Sequence, residues 1–416
     1  MNYKKNLSNP NVSQIRIAKN PLEDFKERLK SRLRATSLRL AVDLMEEELF
    51  ELCGPKFSRK ALGGLCSRTG SDPGTVLLRG QRVKVQKPRG RDFKGEEIKL
   101  DSYEALRDFD LLSNDVTASM LRGVSTRNYD ELLEEVEGGV GLSKATVSRA
   151  FKRGSKKMLD ELTTRDLSKY VFVSMMIDGV EVDESSVVTV LGITEKGKKL
   201  ILGIKEGSTE NSDVVKDLFA NLVERGLKTN MPMLFVLDGA KALKKAVQAL
   251  FGKDTLIQRC VRHKERNVLS YLPEKFHLEF RRRWKKLHGM KNYDEAKKEH
   301  SSLLKYLQEI NLEAASSLEE SGLETLTVVR LGVPDLLRKT LLSTNPIESV
   351  FNGFRRRSKR VTNWKTGMKG YQIRRWVASS LLLAEKNFRT LRGFAQIPVL
   401  ITALANSRLQ IALEVA

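Results

Sequence analysis

The 416-residue sequence lacks the features of a secreted or membrane protein. It holds three cysteines (Cys53, Cys66 and Cys260), too few for a disulfide framework and typical of a reducing compartment. No run reaches the roughly 18 apolar residues of a membrane span, and no basic start precedes an apolar signal core. Internal repeats and low-complexity tracts are also absent. We therefore expect a cytoplasmic protein, and its 40% of apolar residues is enough for a packed core.

Positive charge is what the sequence has in excess. Lys and Arg number 74 against 52 Asp and Glu, a net charge of +22, which indicates a polyanionic partner such as nucleic acid. The alternative is an ordinary basic enzyme. Nine basic residues and no acidic one lie between Arg355 and Arg375, and such single-sign runs favour phosphate contacts over a solvated helix face. Trp364, Tyr371 and Trp376 lie in this run, where packing is preferred over base stacking for each.

Two basic segments in the N-terminal region are candidates for DNA binding. Residues 75–89 alternate like a two-stranded ribbon that turns at residues 79–81, and residues 88–91 are predicted to form an extended arm. A helix over residues 128–137, a glycine turn and a second helix capped by Ser143 and ended by Gly154 form a helix-turn-helix pattern. Lys144, Arg149 and Arg153 would contact DNA. An ordinary helical hairpin is the alternative.

Beyond a polar linker at residues 163–169 the pattern changes to α/β. Apolar runs predict strands, and helical spacing predicts two covering helices. The predicted strands are Val171–Ile177, Ser186–Ile193, Leu200–Ile204 and Met233–Leu237, and the helices are Asn211–Glu224 and Lys241–Phe251. These elements predict a mixed sheet with covering helices. Residues 264–335 are helical and charged, which is typical of an insertion, and residues 346–390 are helical again.

Two of the predicted strands are followed by an Asp-Gly pair. Asp178-Gly179 follows the first strand and Asp238-Gly239 the fourth, and ligands collect beyond strand ends in α/β sheets. Mg²⁺ prefers such hard oxygen ligands. Each pair alone is also explained by a turn, and a hairpin at Asp178 is plausible. Two pairs in the same setting favour a metal site.

Glu348 has two interpretations. Asn345 as N-cap, Pro346 as first helical residue and Glu348 as the return half of a capping box explain the spacing without any function. However, Asn345, Glu348, Asn352 and Arg355 share one helix face, and such a polar stripe does not belong in a core. It would place a carboxylate on a metal ion and an arginine on a DNA phosphate.

Together these residues resemble a known family. Asp178, Asp238 and Glu348 are separated by 60 and 110 residues, a Cys-x-x-His pair (Cys260, His263) follows the second aspartate, and the glutamate lies in STNPIESVFNGFRRR. The sequence resembles the Mutator-type transposases of bacterial insertion sequences.

The resemblance covers roughly residues 40–395 and implies a ribonuclease-H-like catalytic core. It implies that Asp178, Asp238 and Glu348 are the catalytic acidic triad, which we expect to hold two Mg²⁺ ions, with Mn²⁺ as a substitute. Arg355 matches the basic residue near the transposon end. The Cys-x-x-His pair supplies two zinc ligands where a structural site needs four, so a packing or DNA-proximal role is preferred. The DNA-binding candidates are Lys144, Arg149, Arg153, Asn352, Arg355, Arg356, Arg357, Lys359 and Arg360.

The expected fold class is α/β, a ribonuclease-H-like core with an all-helical insertion behind a mainly helical DNA-binding region. The expected domains are 1–165 for DNA binding, 166–263 for the first part of the core, 264–340 for the insertion and 341–416 for the completed core. His277, His288 and His300 are predicted to be solvated on the insertion.

The expected function is metal-dependent 3′-end cleavage and strand transfer at terminal inverted repeats. A homodimer on paired ends is expected, associated with the bacterial nucleoid and not with a membrane. A transposase-derived regulator without turnover and a structure-selective nuclease are the alternatives.

Overall fold

The protein is described by a computed structural model that covers residues 21–56, 66–78, 81–107, 109–126, 129, 139–140, 143–207, 212–364 and 371–415. Two compact units make up the chain: residues 1–116 with 126–148, and residues 117–125 with 149–416. No helix among the described residues is both long and apolar enough to cross a membrane.

The first unit is built on a helix and a long antiparallel ribbon. Its elements are α1 (Pro21–Cys53), β1 (Cys66–Leu78), β2 (Gln81–Asp92), α2 (Asp101–Leu106), the start of α3 (Phe109–Leu121) and β3 (Gly139–Val140). The predicted ribbon is confirmed, since Leu78 pairs with Gln81 and the pairing runs on to Cys66 and Asp92. Met45 of α1 packs against its apolar face.

The predicted extended arm at residues 88–91 is wrong, because these residues belong to β2. Pro88 pairs with Ser71 at a register shift between Arg68 and Ser71, where a missing backbone N–H is tolerated. On its other side β2 pairs with β3 at Arg82 and Val83, and no described strand pairs with Pro88 there.

The helix-turn-helix prediction is covered in part by the structure. The proposed first helix, residues 128–137, lies outside the described residues except for Tyr129. The second is α4 (Lys144–Thr164), and its predicted cap is confirmed, since the Ser143 hydroxyl accepts the Thr146 N–H at 3.2 Å. The predicted end at Gly154 is wrong, because the buried stripe continues through Leu159 and Leu162.

The second unit contains a five-stranded mixed sheet of order β6-β5-β4-β7-β8. Its strands are β4 (Phe172–Val182), β5 (Ser185–Thr194), β6 (Lys199–Gly207), β7 (Leu234–Leu237) and β8 (Leu256–Arg259). β4, β5 and β6 are antiparallel, whereas β7 and β8 run parallel to β4. The mixed α/β prediction is therefore confirmed, and β8 is a strand that the sequence patterns missed.

The first predicted strand extends further than expected. β4 continues through Asp178 to Val182, and the hairpin turns at Asp183 and Glu184, since Val182 pairs with Ser185. Asp183 has a φ of +55°, which a two-residue hairpin turn requires and aspartate tolerates. A turn at Asp178 is therefore wrong, and so is the expectation that Asp178 ends its strand.

Two helices cover this sheet, as predicted. α5 (Ser212–Glu224) and α6 (Lys241–Phe251) bury Phe219 and Leu243 against β-strand residues such as Ile177 and Phe235. The polar stretch at residues 163–169 is anchored to this core, because Leu167 is fully buried and its N–H donates to the Arg225 carbonyl at 2.8 Å.

Residues 261–341 are helical, as predicted. The helices are α7 (Val261–Tyr271), α8 (His277–Gly289), α9 (Tyr293–Ile310), α10 (Leu312–Glu320), α11 (Thr327–Arg330) and α12 (Asp335–Leu341). α7 to α11 share a core around Phe280, Trp284 and Leu303. The prediction of solvated histidines is wrong for His288 and His300, which are 8% and 6% exposed, because each lies on the inward face of its helix.

Three further helices complete the described chain: α13 (Asn345–Ser358), α14 (Gln372–Glu385) and α15 (Ile397–Val415). The aromatic residues of the basic run divide as follows. Trp376 is buried, with its ring 4.8 Å from Phe151 and 6.2 Å from Trp364, which confirms the packing interpretation for it. Tyr371 is exposed and has a φ of +48°.

Candidate active site

Parallel strand pairing places the two predicted aspartates side by side. Ile177 of β4 pairs with Leu237 of β7, and the next residue on each strand is Asp178 and Asp238. β7 ends there, whereas β4 continues along β5, with Asp178 opposite Thr189. One carboxylate therefore lies within the sheet and the other at its edge.

The loop after β7 has little freedom. Asp238 Oδ1 accepts the Ala240 N–H at 2.8 Å, and Gly239 has a φ of +117°. A Cβ at position 239 would overlap the Arg259 guanidinium. Glycine is therefore required here by both backbone conformation and space, not merely by a turn.

Glu348 does not cap its own helix. α13 begins at Asn345 with Thr344 as its N-cap, so Glu348 is the fourth residue after the cap and the capping-box interpretation is wrong. Its carboxylate instead contacts α7, with Oε1 3.2 Å from His263 Nε2 and Oε2 3.1 Å from Arg266 Nη2. The predicted polar stripe on α13 is present, since Asn345, Asn352 and Arg355 are exposed and Glu348 is half-buried.

The Cys-x-x-His segment contacts both the end of β7, before Asp238, and the start of α13, which carries Glu348. The Cys260 N–H donates to the Leu237 carbonyl at 2.7 Å, so α7 starts beside the end of β7. Cys260 is fully buried, and its sulfur lies 3.4 Å from the Thr344 nitrogen. The Thr344 hydroxyl in turn lies 3.4 Å from His263 Nδ1. Cys260 thus packs as expected, and it fixes the start of α13 relative to His263.

Three side chains from three elements converge at this point. One ligand atom each of Asp178, His263 and Glu348 lies within 4.8 Å of the other two, a spacing that fits a metal ion. Asp238 is not in this group, but it is close enough that its charge raises the pKa of Asp178. The sequence patterns gave His263 no preferred role in a metal site, and the structure places it between two of the predicted carboxylates.

The cluster combines a buried carboxyl group with a cationic imidazole. Burial raises the pKa of Asp178 to about 7, offset in part by His263, and Asp178 Oδ2 has no hydrogen-bond partner among the described residues. The pKa of His263 is raised to about 9, chiefly by its hydrogen bond with Cys260 and further by Asp178 and Glu348, although burial lowers it. A buried carboxylate oxygen without a partner is costly unless a cation or donor reaches it.

Most of the predicted DNA-binding residues are accessible. Exposed side chains on or just after α13 are Asn352, Arg355, Arg356, Lys359 and Arg360, and those on α4 are Lys144, Arg149 and Arg153. Arg357 differs, because it is half-buried and burial lowers its pKa. The Arg355 guanidinium donates to Asn352 at 3.3 Å, which orders two members of the stripe.

Two arginines of the site were missed by the sequence patterns. Arg266 contacts Glu348, and its position three residues after His263 on a helix was an available signal. Arg259 is buried under Gly239 and pairs with Glu320 at 2.7 Å, a contact over 61 residues that no local pattern announces.

Comparison with known proteins decides the family. The family described as "Transposase, Mutator family" matches residues 13–365, a range that contains every residue of the cluster. The chain belongs to the Mutator family of transposases. The resemblance drawn from the carboxylate spacing and the Cys-x-x-His pair is thereby confirmed.

Several relatives are transposases of insertion sequences. This Mutator-family chain is 26% identical over 322 residues, 76% of its length and 79% of the relative's, to the transposase for insertion sequence element ISRM5 of Rhizobium meliloti. It is 26% identical over 325 residues to the transposase for IS256 in transposon Tn4001 of Staphylococcus aureus, covering 76% and 81%. Identity is 30% over 183 residues with the transposase for IS6120 of Mycolicibacterium smegmatis, of which the match spans 55%.

Proposed function

We propose that this chain is a metal-dependent DDE transposase that cleaves the 3′ ends of an insertion sequence and joins them to target DNA. The observation that carries the proposal is the convergence of Asp178, Glu348 and His263, with Asp238 beside Asp178. Acidic residues from a central strand, from the end of its parallel neighbour and from a distant helix are the arrangement expected of this chemistry.

The fold supports the same proposal. Three antiparallel strands followed by two parallel ones, with carboxylates on β4 and after β7, are consistent with a ribonuclease-H-like core. Residues 264–340 would be its helical insertion, residues 341–416 its completion, and residues 1–165 the DNA-binding region.

The donor set fits divalent cations. Asp178, Asp238 and Glu348 offer the hard oxygen ligands of Mg²⁺, and the buried, unpartnered Asp178 Oδ2 is an acceptor that a cation would satisfy. We propose two Mg²⁺ ions, with Mn²⁺ as a substitute. When bound, such ions supply charge stabilisation for both oxygens of an in-line displacement at phosphorus.

The side chains of the chain then have distinct tasks. Asp178 and Asp238 are held rigidly by strand pairing and by the Gly239 loop, and His263 orients Glu348. Arg355, on the same face as Glu348, would bind phosphate near the transposon end. No serine or tyrosine is needed as a nucleophile, because water and then the freed 3′-hydroxyl attack.

DNA is the proposed partner, both as terminal inverted repeats and as target, with Lys144, Arg149, Arg153 and the basic residues of α13 as contacts. Because two ends are joined, we propose a homodimer on paired ends, in the cytoplasm at the nucleoid.

Replacement of Asp178 by Asn tests the chemistry. Cleavage and strand transfer of a duplex that carries the element's own terminal sequence would be measured with Mg²⁺, together with binding of that duplex. We expect loss of both reactions with binding retained. Thermal stability without metal should not fall, because the amide removes a buried charge.

Asp183→Asn is the matched control, since Asp183 lies in the turn of the same hairpin. Strand joining by Asp178→Asn would refute the assignment. Cleavage by the wild type without joining would favour the nuclease, and binding without any Mg²⁺-dependent chemistry would favour the regulator.

A further inference from the structure

The Arg266 guanidinium contacts the Glu348 carboxylate, which the proposed function assigns to a metal ion. Its Nη1 and Nη2 lie 3.4 Å and 3.1 Å from the two oxygens of Glu348. Arg266 follows His263 by three residues on α7, so both side chains lie on the helix face that meets α13. Glu348 is therefore held by two side chains of one helix, the imidazole of His263 and the guanidinium of Arg266.

The ion pair between Arg266 and Glu348 is weak enough for Arg266 to change partners. The Arg266 side chain is 61% exposed, and exposed ion pairs contribute little to stability. Among the described residues Glu348 is its acidic partner, so release of Glu348 leaves the guanidinium beside the site. The Glu348 side chain is only 22% exposed and stays against His263.

The neighbouring surface is basic. Arg262 lies four residues before Arg266 on α7, and Arg281 of α8 lies nearby; their side chains are 58% and 57% exposed. Both are near one carboxylate, Glu265, at 3.2 Å and 3.9 Å. The guanidinium groups of Arg262, Arg266 and Arg281 are thus paired with two carboxylates, those of Glu265 and Glu348. We call Arg262 and Arg266 the basic edge of α7.

We propose that Arg266 is a partner-exchanging residue: it pairs with Glu348 in the free protein and with a DNA backbone phosphate once a divalent cation takes Glu348. The proposal rests on the proposed function of the same site and adds a DNA contact outside α4 and α13. Arg262, one turn away on the basic edge, binds an adjacent phosphate without touching Glu348.

The exchange couples metal loading to DNA binding. A guanidinium on Glu348 competes with the cation for the same oxygens, so Arg266 weakens metal binding while DNA is absent. A phosphate that draws Arg266 away removes this competition. Because coupling is reciprocal, the metal ion strengthens DNA binding by the same factor.

Two measurements on the full-length protein test the exchange. Mn²⁺ binding without DNA would be followed by electron paramagnetic resonance, and binding of a short mixed-sequence duplex would be followed by fluorescence anisotropy over a salt series. For Arg266→Ala we expect Mn²⁺ to bind up to about fivefold more tightly, the weight of an exposed ion pair. Its DNA affinity should fall, with a salt slope smaller by about one.

Arg262→Ala is the matched control: its DNA affinity should fall in the same way while its Mn²⁺ affinity stays at the wild-type value. Arg266→Lys should retain most of the salt slope, because it keeps the charge. Unchanged or weaker Mn²⁺ binding by Arg266→Ala, or unchanged DNA binding, would overturn the exchange.

Failure of the metal site itself is recognised separately. Asp178→Asn and Glu348→Gln should both weaken Mn²⁺ binding. If neither does, the proposed function is wrong at its metal site, and the exchange falls with it. If both do and Arg266→Ala does not tighten binding, only the exchange is wrong.

Discussion

Acidification should destabilise the helical segment of residues 261–341 through its buried histidines. His288 is 8% exposed, its Nδ1 lies 2.9 Å from the Trp284 carbonyl, and its ring lies 4.2 Å from the Trp284 ring. Burial lowers the pKa of His288 from 6.5 to about 4. The folded protein thus holds this imidazole neutral where the unfolded chain would protonate it.

The magnitude follows from the shift. The difference between 6.5 and 4 is 2.5 pH units, and each unit is worth about 1.4 kcal/mol, so protonation of His288 lowers the free energy of unfolding by about 3 to 4 kcal/mol. Because folding lowers the pKa of this base, the full free energy of unfolding is present above pH 6.5 and falls as the pH drops to 4. His300, whose pKa burial also lowers, acts in the same direction.

Urea unfolding at several pH values between 7 and 4 would measure this effect in the wild type and in His288→Leu. The variant should lose less stability over that range, because it has one proton fewer to take up on unfolding. His277→Gln is the control, since His277 is half-buried at the start of the same helix. Parallel pH profiles for wild type and His288→Leu would refute the reasoning.

Three further changes test the framework of the site. Gly239→Ala should lower the free energy of unfolding by about 2 kcal/mol because of its positive φ, and it should weaken Mn²⁺ binding because the new methyl group moves Arg259. Gly252→Ala is the control, since Gly252 has a φ of +98° and open space around it, so this variant should lose stability but keep its Mn²⁺ affinity. Calorimetry and Mn²⁺ titration would measure the two effects. Glu320→Ala should cost about 2 kcal/mol in urea unfolding, because the buried Arg259 and Lys264 lose their ion-pair partner, whose own side chain is 37% exposed; an equal loss in Glu319→Ala would contradict this. Ser143→Ala should cost about 1 kcal/mol of unfolding free energy through the lost α4 cap, and an unchanged urea midpoint would contradict it.

Apolar runs were sufficient to predict most of the sheet. β4 and β5 are nearly all buried and so is the centre of β6, so these stretches are rich in Val, Ile, Leu and Met, and the pattern identified them. β8 was missed because two of its four residues are Gln258 and Arg259. Both are buried, and they donate hydrogen bonds to partners far along the chain, Thr325 at 2.8 Å and Glu320 at 2.7 Å. A polar strand stabilised by such contacts carries no local signal.

The interpretation of Glu348 depended on one residue. With Asn345 as the cap, Glu348 would stand at the capping-box position; with Thr344 as the cap it stands one residue too late. The sequence permits both, because Thr344 and Asn345 are each good caps. Only the position of α7, which brings His263 and Arg266 to the carboxylate, decides between them.

The buried histidines were mispredicted for a related reason. α8 is rich in Lys and Arg, which favours a solvated helix, yet Phe280, Trp284 and His288 recur every four residues and mark its inward face. Periodicity was the better guide here than composition.

The two ends of the helical segment of residues 261–341 lie side by side, next to the candidate site. The Val261 N–H donates to the Leu342 carbonyl at 3.0 Å, and the Thr344 N–H meets Cys260 Sγ at 3.4 Å. These two contacts hold the ends of the segment together. His263 lies near one end and Glu348 soon after the other, and Glu320 within the segment pairs with Arg259 under Gly239, so packing within the segment bears directly on the site. Sheet pairing therefore fixes one half of the proposed metal site, and closure of the helical segment fixes the other.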